Sequence, residues 1–147
     1  MYLSSAEPFT GKSALALGLF DLLTRSGGRV VVFRPVVAGD PTTDSVLSVL
    51  VPRMDPSLGL TAAACAGVSY DDLHDDAERA LAAIVQRFKQ VERSADFVLI
   101  VGSDFTDVGN PAELGVNARI AATLAPKMIL ALSGRDTADD EHEVSTA

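Results

Sequence analysis

Tyr2-Leu3-Ser4-Ser5-Ala6-Glu7-Pro8-Phe9-Thr10-Gly11-Lys12-Ser13 opens the chain and runs directly into Ala14-Leu15-Ala16-Leu17-Gly18-Leu19-Phe20. Residues 2–5 read as a very short strand, and the stretch after Ser13 reads as a strong helix reaching about residue 25. Between them, Ala6, four further residues and Gly11-Lys12-Ser13 spell a phosphate-binding loop, with alanine where the pattern has its first glycine. The chemistry asks for this order. Successive backbone N–H groups curl around an anion, the helix N-terminus adds positive dipole, the lysine reaches terminal phosphates and the hydroxyl can hold Mg2+. A strand before and an apolar helix after distinguish the motif from a chance Gly-Lys-Ser. Lys12 is also one of only three lysines in the chain. Thr10, Gly11, Lys12 and Ser13 are therefore the candidate ligand-binding residues, with ATP and Mg2+ as the cofactors such a loop would take and Ser13 as the metal ligand if a magnesium nucleotide binds.

Outward from this loop the chain alternates strand and helix. Leu15, Leu19, Leu22 and Leu23 fall at helical spacing and suit a helix packed deep against a sheet. Gly27-Gly28 ends it. Residues 29–33, Arg-Val-Val-Val-Phe, form a continuous β-branched run of the kind buried on both faces of a parallel sheet. Arg34-Pro35 is expected to close that strand, because proline cannot continue a ladder. Residues 43–50 can form a short helix, and 52–59, with two prolines and a glycine, a loop. Residues 70–92 carry Leu73, Ala77, Leu81, Ile84, Phe88 and Val91 at steps of three and four, which predicts one amphipathic helix. Asp71, Asp72, Asp75 and Asp76 sit in its first turns, where the helix dipole favours negative charge. Residues 96–101 make another buried strand. Asn110-Pro111-Ala112-Glu113 is a well-formed helix start, and that helix runs to about residue 124. Residues 127–132 are the last strand, with no helix after it, so one sheet face is expected to be incompletely covered. The order predicts an α/β fold: a three-layer P-loop-like domain with a mostly parallel sheet of about four strands and helices on both faces.

Composition bounds the functions this fold can carry. The 147 residues predict one domain with a substantial core, and 48% hydrophobic against 22% charged residues is ordinary globular usage. Twenty acidic against twelve basic residues give a net charge of −8, which argues against general binding to nucleic acid or to an anionic membrane. Five acids and one base give residues 135–147 half of that charge, −4, without apolar periodicity, so this stretch is expected to be a disordered, solvated acidic tail beyond a domain of residues 1–134. No apolar run approaches the roughly 18–20 residues that cross a bilayer, and no basic-then-apolar leader opens the chain. Cys65 is the sole cysteine, which leaves no internal disulfide and no thiolate zinc cage. A cytoplasmic address is the expectation.

Phosphoryl transfer needs an acid near the metal, and the end of the strand at 96–101 offers Val101-Gly102 in its place. Asp104 and Asp107 follow closely and are candidates to substitute, or serve as turn and cap residues. Proline at residue 8 removes one N–H donor, so a degenerate loop that no longer turns over nucleotide is the competing reading. Arg34 faces the sheet edge where ligands of open α/β folds bind, to meet an anion or a carboxylate such as Asp104. Asp40 and Asp44 read as loop or helix caps that could instead face a metal. His74, among acids on a helix, reads as a solvated side chain, and Cys65 as a small buried hydrophobe.

The loop with its following helix, Val32-Phe33-Arg34-Pro35, Val101-Gly102-Ser103-Asp104-Phe105-Thr106-Asp107-Val108, Asn110-Pro111-Ala112-Glu113-Leu114 and Asn117-Ala118-Arg119-Ile120-Ala121 appear in this order at natural spacing. Together they resemble the N-terminal region of long, multi-domain bacterial phosphate acetyltransferases, particularly actinobacterial forms, over about residues 2–134. The resemblance implies a P-loop domain related to dethiobiotin synthetase. That domain serves assembly and metabolite regulation, ahead of a separate C-terminal domain that moves acetyl between CoA and phosphate. No catalytic residue of that transfer falls within this chain. On this resemblance the phosphate-loop residues and the loop around 103–107, Asp104 included, carry over as ligand-binding positions. The implied partners are further copies of the chain, the remaining acetyltransferase domains and a small-molecule effector. Two departures separate the chain from dethiobiotin synthetases: Arg34-Pro35 stands where they have lysine-proline, and Val101 where they have an acid. An ATP-dependent ligase of the dethiobiotin synthetase type and a non-catalytic subunit-assembly module are the alternative functions.

Overall fold

The strand that precedes the phosphate loop lies inside the sheet, and the rest of the molecule is arranged around it. The computed structural model describes residues 1–5, 10–103, 112–124 (side chains from 115) and 127–132. In chain order its strands and α-helices are β1 (Tyr2–Ser5), α1 (Lys12–Arg25), β2 (Val30–Val37), α2 (Leu47–Leu50), β3 (Ala66–Ser69), α3 (Tyr70–Asp75), α4 (Ala77–Glu92), β4 (Phe97–Val101), α5 (Ala112–Leu124) and β5 (Met128–Ala131). Single 3-10 turns occupy Pro41–Thr43, Val51–Arg53 and Pro56–Leu58. Five parallel strands form one sheet in the order β3-β2-β4-β1-β5. Helix α1 lies over β1, β4 and β2, α4 over β3 and β2, and α5 over β1. The α/β class and the parallel sheet agree with the alternation in the sequence. The residues expected to form the acidic tail, 135–147, lie outside the described residues, as do Ala6 to Phe9, Asp104, Asp107 and the cap residues Asn110-Pro111.

Four local expectations are corrected. The sheet has five strands rather than about four, the additional one being β3, Ala-Gly-Val-Ser. Its residues are too small and too few to stand out as a strand; pairing with β2 makes them one. Gly67 is required there, because a Cβ at that position would lie 2.1 Å from the carbonyl oxygen of Pro35.

Strand β2 runs through Pro35 to Val37 instead of stopping at Phe33, with all eight residues buried. Its ladder with β4 ends at the Phe33–Ile100 pair, and beyond it β2 pairs only with β3. The Arg34 N–H donates to the Cys65 carbonyl on the β3 side at 2.8 Å. Proline's missing N–H therefore falls on the opposite side, where the ladder has already ended.

The expected single helix over 70–92 is two. Ser69 and Asp72 form a reciprocal capping box that starts α3. Asp76, with extended backbone at φ −152°, breaks the run and caps α4 by accepting from the Arg79 N–H at 3.0 Å. The acids that favour the helix dipole thus divide into two successive caps.

Helix α1 buries a narrower stripe than its leucines suggest. Lys12, Ala16 and Phe20 are buried and Leu19 and Leu23 partly so, whereas Leu15, Leu17 and Leu22 are exposed. The β5 side chains Met128 and Leu130 are also exposed, together with Leu132, which fits the incompletely covered face expected at this end of the sheet. On α4 the stripe Ala80, Ile84, Phe88 and Val91 seals the core, with the Phe88 ring edge-on to Phe33 at 5.6 Å.

Candidate functional site

The C-terminal ends of β1 and β4 lie side by side at the centre of the sheet, paired at Leu3–Val101. From β1 the chain goes on to α1 and then β2 on one side, and from β4 it goes to α5 and then β5 beyond β1. Strand order therefore reverses at this point, and in open α/β sheets the ligand crevice lies outside the strand ends at such a reversal.

Gly11 leads into α1 with φ 74°, a left-handed conformation that costs little only for glycine. As the cap residue it brings no side-chain acceptor, and the first turn of α1 contains no acid. The N–H groups that open the helix are thus presented to an incoming anion rather than to a carboxylate of the same turn. Thr10 is half-buried beside Gly11, and Ser13 is exposed in the first turn. Lys12 is 3% exposed, and its Nζ donates to the Gly102 carbonyl at 2.6 Å, just past the end of β4. This brings three of the four sequence-assigned loop residues to one helix end and the lysine across to the neighbouring strand. Asp104 lies outside the described residues.

Arg34 meets Lys12 on the same oxygen. Its Nη1 donates to the Gly102 carbonyl and, at 3.3 Å, to that of Val101. Its Nε donates to Asp44 Oδ2 at 3.1 Å, and both side chains of this ion pair are under a tenth exposed. The other oxygen of Asp44 accepts from the N–H groups of Val46 and Leu47, both at 2.9 Å. Asp44 is thus both the cap expected from sequence and the carboxylate partner of Arg34. Asp40 caps the Pro41–Thr43 turn by accepting from the N–H and hydroxyl of Thr42, and these bonds hold its carboxyl below the usual carboxylate range.

A second buried pair fixes the floor of the crevice. The Tyr2 hydroxyl donates to Asn117 Oδ1 at 2.6 Å. That oxygen also accepts from the Ser103 N–H at 3.2 Å, and Asn117 Nδ2 donates to the Ser103 carbonyl at 3.1 Å. Burial raises the Tyr2 phenol well above its ordinary value, while the nearby Arg34 charge opposes that shift. Gly102 must be glycine at this point, since a Cβ would fall 2.4 Å from Asn117 Oδ1. Tyr2 and Asn117 had no place among the site candidates read from sequence. The one available signal was a tyrosine in a buried strand, whose hydroxyl needs a partner.

Cations, helix dipole and backbone fit a phosphate-bearing anion. At the end of β4 the Arg34 guanidinium lies on the Val101 and Gly102 carbonyls. Among the described residues no group of three or more His, Cys, Asp or Glu side chains converges to hold a metal. Cys65 is fully buried and burial pushes its thiol up to about 11, so it is protonated and unreactive at neutral pH, as a small core residue should be. His74 is exposed, with its ring edge-on to Tyr70. No helix among the described residues is long and apolar enough to cross a membrane.

Known proteins place this geometry in a family. A phosphate acetyltransferase of Nitratidesulfovibrio vulgaris is 30% identical over 155 aligned residues, which take in 99% of this chain and 21% of that protein. A phosphate acetyltransferase of Synechocystis is 27% identical over 139, taking in 88% of this chain and 19% of that protein. The chain spans about a fifth of the length of these curated relatives. A family model described as AAA domain matches residues 1–142, so the phosphate loop, the parallel sheet and the crevice between β1 and β4 all fall within it, and the chain belongs to that AAA domain family.

Proposed function

We propose that this chain is the N-terminal, non-catalytic domain of a phosphate acetyltransferase, whose loop at residues 10–13 binds a phosphate-bearing small molecule as a regulatory ligand. The observation that carries the reading is the buried Lys12 beside the left-handed Gly11 at the N-terminus of α1. Similarity to phosphate acetyltransferases over nearly the whole chain, but only a fifth of theirs, supports its role as one domain of a larger enzyme. On ligand binding, Lys12 exchanges the Gly102 carbonyl for a phosphate oxygen. The crevice then senses the ligand through the segment that Asn117 holds to α5. Acetyl transfer to phosphate belongs to another domain in this reading.

Two measurements test it. The purified chain given acetyl-CoA and phosphate should form no acetyl phosphate, and substantial turnover would refute the non-catalytic role. Calorimetric titration with ATP and with inorganic tripolyphosphate should detect binding that Lys12→Ala weakens by about tenfold or more, the scale of losing one charge-assisted contact. Absence of any binding to the parent chain would remove the ligand-sensing part of the reading.

A specific observation also favours an assembly role for the same domain. Met128 and Leu130 on the edge strand β5, with Leu132 beyond it, expose apolar surface among the described residues, which suits contact with another domain or another copy. A dethiobiotin synthetase-type ligase would need a carboxylate on its metal; of the candidates read from sequence, Asp40 and Asp44 are each engaged as caps, and Asp104 lies outside the described residues.

A further inference from the structure

We infer that β5 pairs edge to edge with β5 of a second copy of this chain, antiparallel about a two-fold axis at Leu130, so that the two sheets join into one. The inference rests on the assembly reading above and adds the partner and the register to it. It draws nothing from the loop at residues 10–13.

The two edges of the sheet differ in how they are guarded. At the β3 edge, the Arg34 N–H donates to the Cys65 carbonyl, which turns residue 65 toward β2. Backbone groups alternate in direction along a strand, so those of Ala66 turn outward. The Ala66 carbonyl accepts from Arg87 Nη1 at 3.4 Å, and α3 and α4 pack against the strand. A charged side chain and covering helices are the usual protection of an edge. At the opposite end stands β5, Met-Ile-Leu-Ala, with no proline, glycine or charge to discourage a further strand. The Tyr2 N–H donates to the Lys127 carbonyl at 2.7 Å, which turns residue 127, and by alternation 129 and 131, toward β1. The N–H and C=O groups of Met128, Leu130 and Leu132 therefore point away from the sheet, with no neighbouring strand among the described residues.

The same three residues carry the exposed side chains. Met128 lies in register beside Tyr2 and Leu130 beside Ser4, and the Tyr2 hydroxyl reaches Asn117, so the row stands on the α5 face of the sheet. Helix α5 lies over β1 and leaves the row between 41% and 63% exposed. Residues 133–147 follow directly and contain one large apolar residue, Val144, so they bring no matching row of their own. A second copy does bring one. With the axis at Leu130, Met128 faces Leu132 of the other copy, Leu130 faces its own counterpart, and the outward backbone groups of all three find partners. This centre pairs every residue from 128 to 132. No charge falls within the contact, which matters for copies that each carry −8. The arrangement also closes, because each copy uses its open edge and the β3 edge is guarded, so assembly stops at two.

Sedimentation equilibrium of the full chain from about 5 µM to about 1 mM tests the association, and introduced cysteines test the register. The contact is small beside the roughly 1,200–2,000 Å2 of stable complexes, so the expected result is a reversible dimer with Kd about 1–100 µM and no larger species. Leu130→Asp sets two like charges opposite each other at the axis and should weaken the dimer about tenfold or more. Under mild oxidation Leu130→Cys should link to itself, because Cα atoms of such a hydrogen-bonded pair lie about 5.5 Å apart, within disulfide reach. Met128→Cys alone should not link, since about 14 Å along the strands separates that position from its counterpart. Met128→Cys combined with Leu132→Cys should restore the link. The native Cys65 is buried and leaves the background low. Circular dichroism of each variant separates loss of pairing from loss of fold, and sedimentation of the parent needs no variant. A strict monomer to about 1 mM would overturn the inference and leave another domain as the occupant of this face. A dimer indifferent to Leu130→Asp, species larger than two copies, or linking by Met128→Cys as efficient as by Leu130→Cys would overturn the pairing while leaving an assembly role to a different surface. Titration with tripolyphosphate reads the phosphate loop separately, so that reading stands or falls on its own.

Discussion

Gly102 is the residue on which the crevice turns. Its carbonyl accepts from two buried cations, while its missing side chain makes room for the Tyr2–Asn117 pair. Gly102→Ala would drive a methyl into Asn117 and the Tyr2 ring, so it should destabilise the fold by about 2–4 kcal/mol, read as a lower denaturant midpoint at unchanged slope. Cys65 makes a separate prediction about pH. Its thiol is raised in the folded state, so the stability it contributes is complete below the ordinary thiol range, roughly pH 8.5. That contribution is lost as pH climbs toward about 11. Alkaline titration of the melting temperature should show a decline over this window that Cys65→Ala reduces, and a thiol reagent should leave the folded parent unmodified at neutral pH. Rapid labelling of the native chain would contradict the buried placement.

Helices α3 and α4 each begin on a short polar side chain. Ser69 starts α3 through a reciprocal pair with Asp72, and Asp76 starts α4 one residue after α3 ends. Ser69→Ala should cost about 1 kcal/mol in chemical denaturation. The Ser69 hydrogen bonds hold the Asp72 carboxyl below its usual range, so this cap stabilises above the ordinary carboxylate pKa and fades as acid protonates Asp72 through its lowered value. At low pH the parent should therefore approach the Ser69→Ala variant in helicity. Strand β3 depends on close approach instead of capping. Gly67→Ala places a Cβ against the Pro35 backbone, which cannot swing away as a side chain would, and the expected loss is about 3 kcal/mol or more. A variant as stable as the parent would show that β3 does not sit against β2 as described.

On the scale of the whole molecule, the five-strand sheet is unequally covered. Helices close over β1, β2, β3 and β4, while the end of the sheet at β5 exposes Met128 and Leu130, with Leu132 just beyond. Light scattering of the chain at rising concentration should reveal association, and Leu130→Lys with Leu132→Lys should reduce it without lowering the melting temperature by more than about 2–4 °C. Strictly monomeric behaviour up to high concentration would remove β5 as a contact between copies.

The helix start at Gly11-Lys12-Ser13, the helix that follows and the apolar runs at 29–33 and 96–101 were legible because their signals are local: a motif of fixed spacing, a 3.6-residue period, and β-branched residues in succession. From these the chain by itself determined a parallel α/β fold with a phosphate loop at its first strand end. It also marked Asp40 and Asp44 as caps, since capping is decided within three residues. Tertiary structure decided the rest. Strand β3 exists because β2 pairs with it, Pro35 is tolerated because one ladder has ended, and three of the five leucines of α1 face outward because a helix turns only one side to a sheet. The meeting of Lys12 and Arg34 on Gly102 joins residues 90 and 68 positions apart, and no local pattern encodes a contact of that span. Sheet order alone brings those three residues to one point.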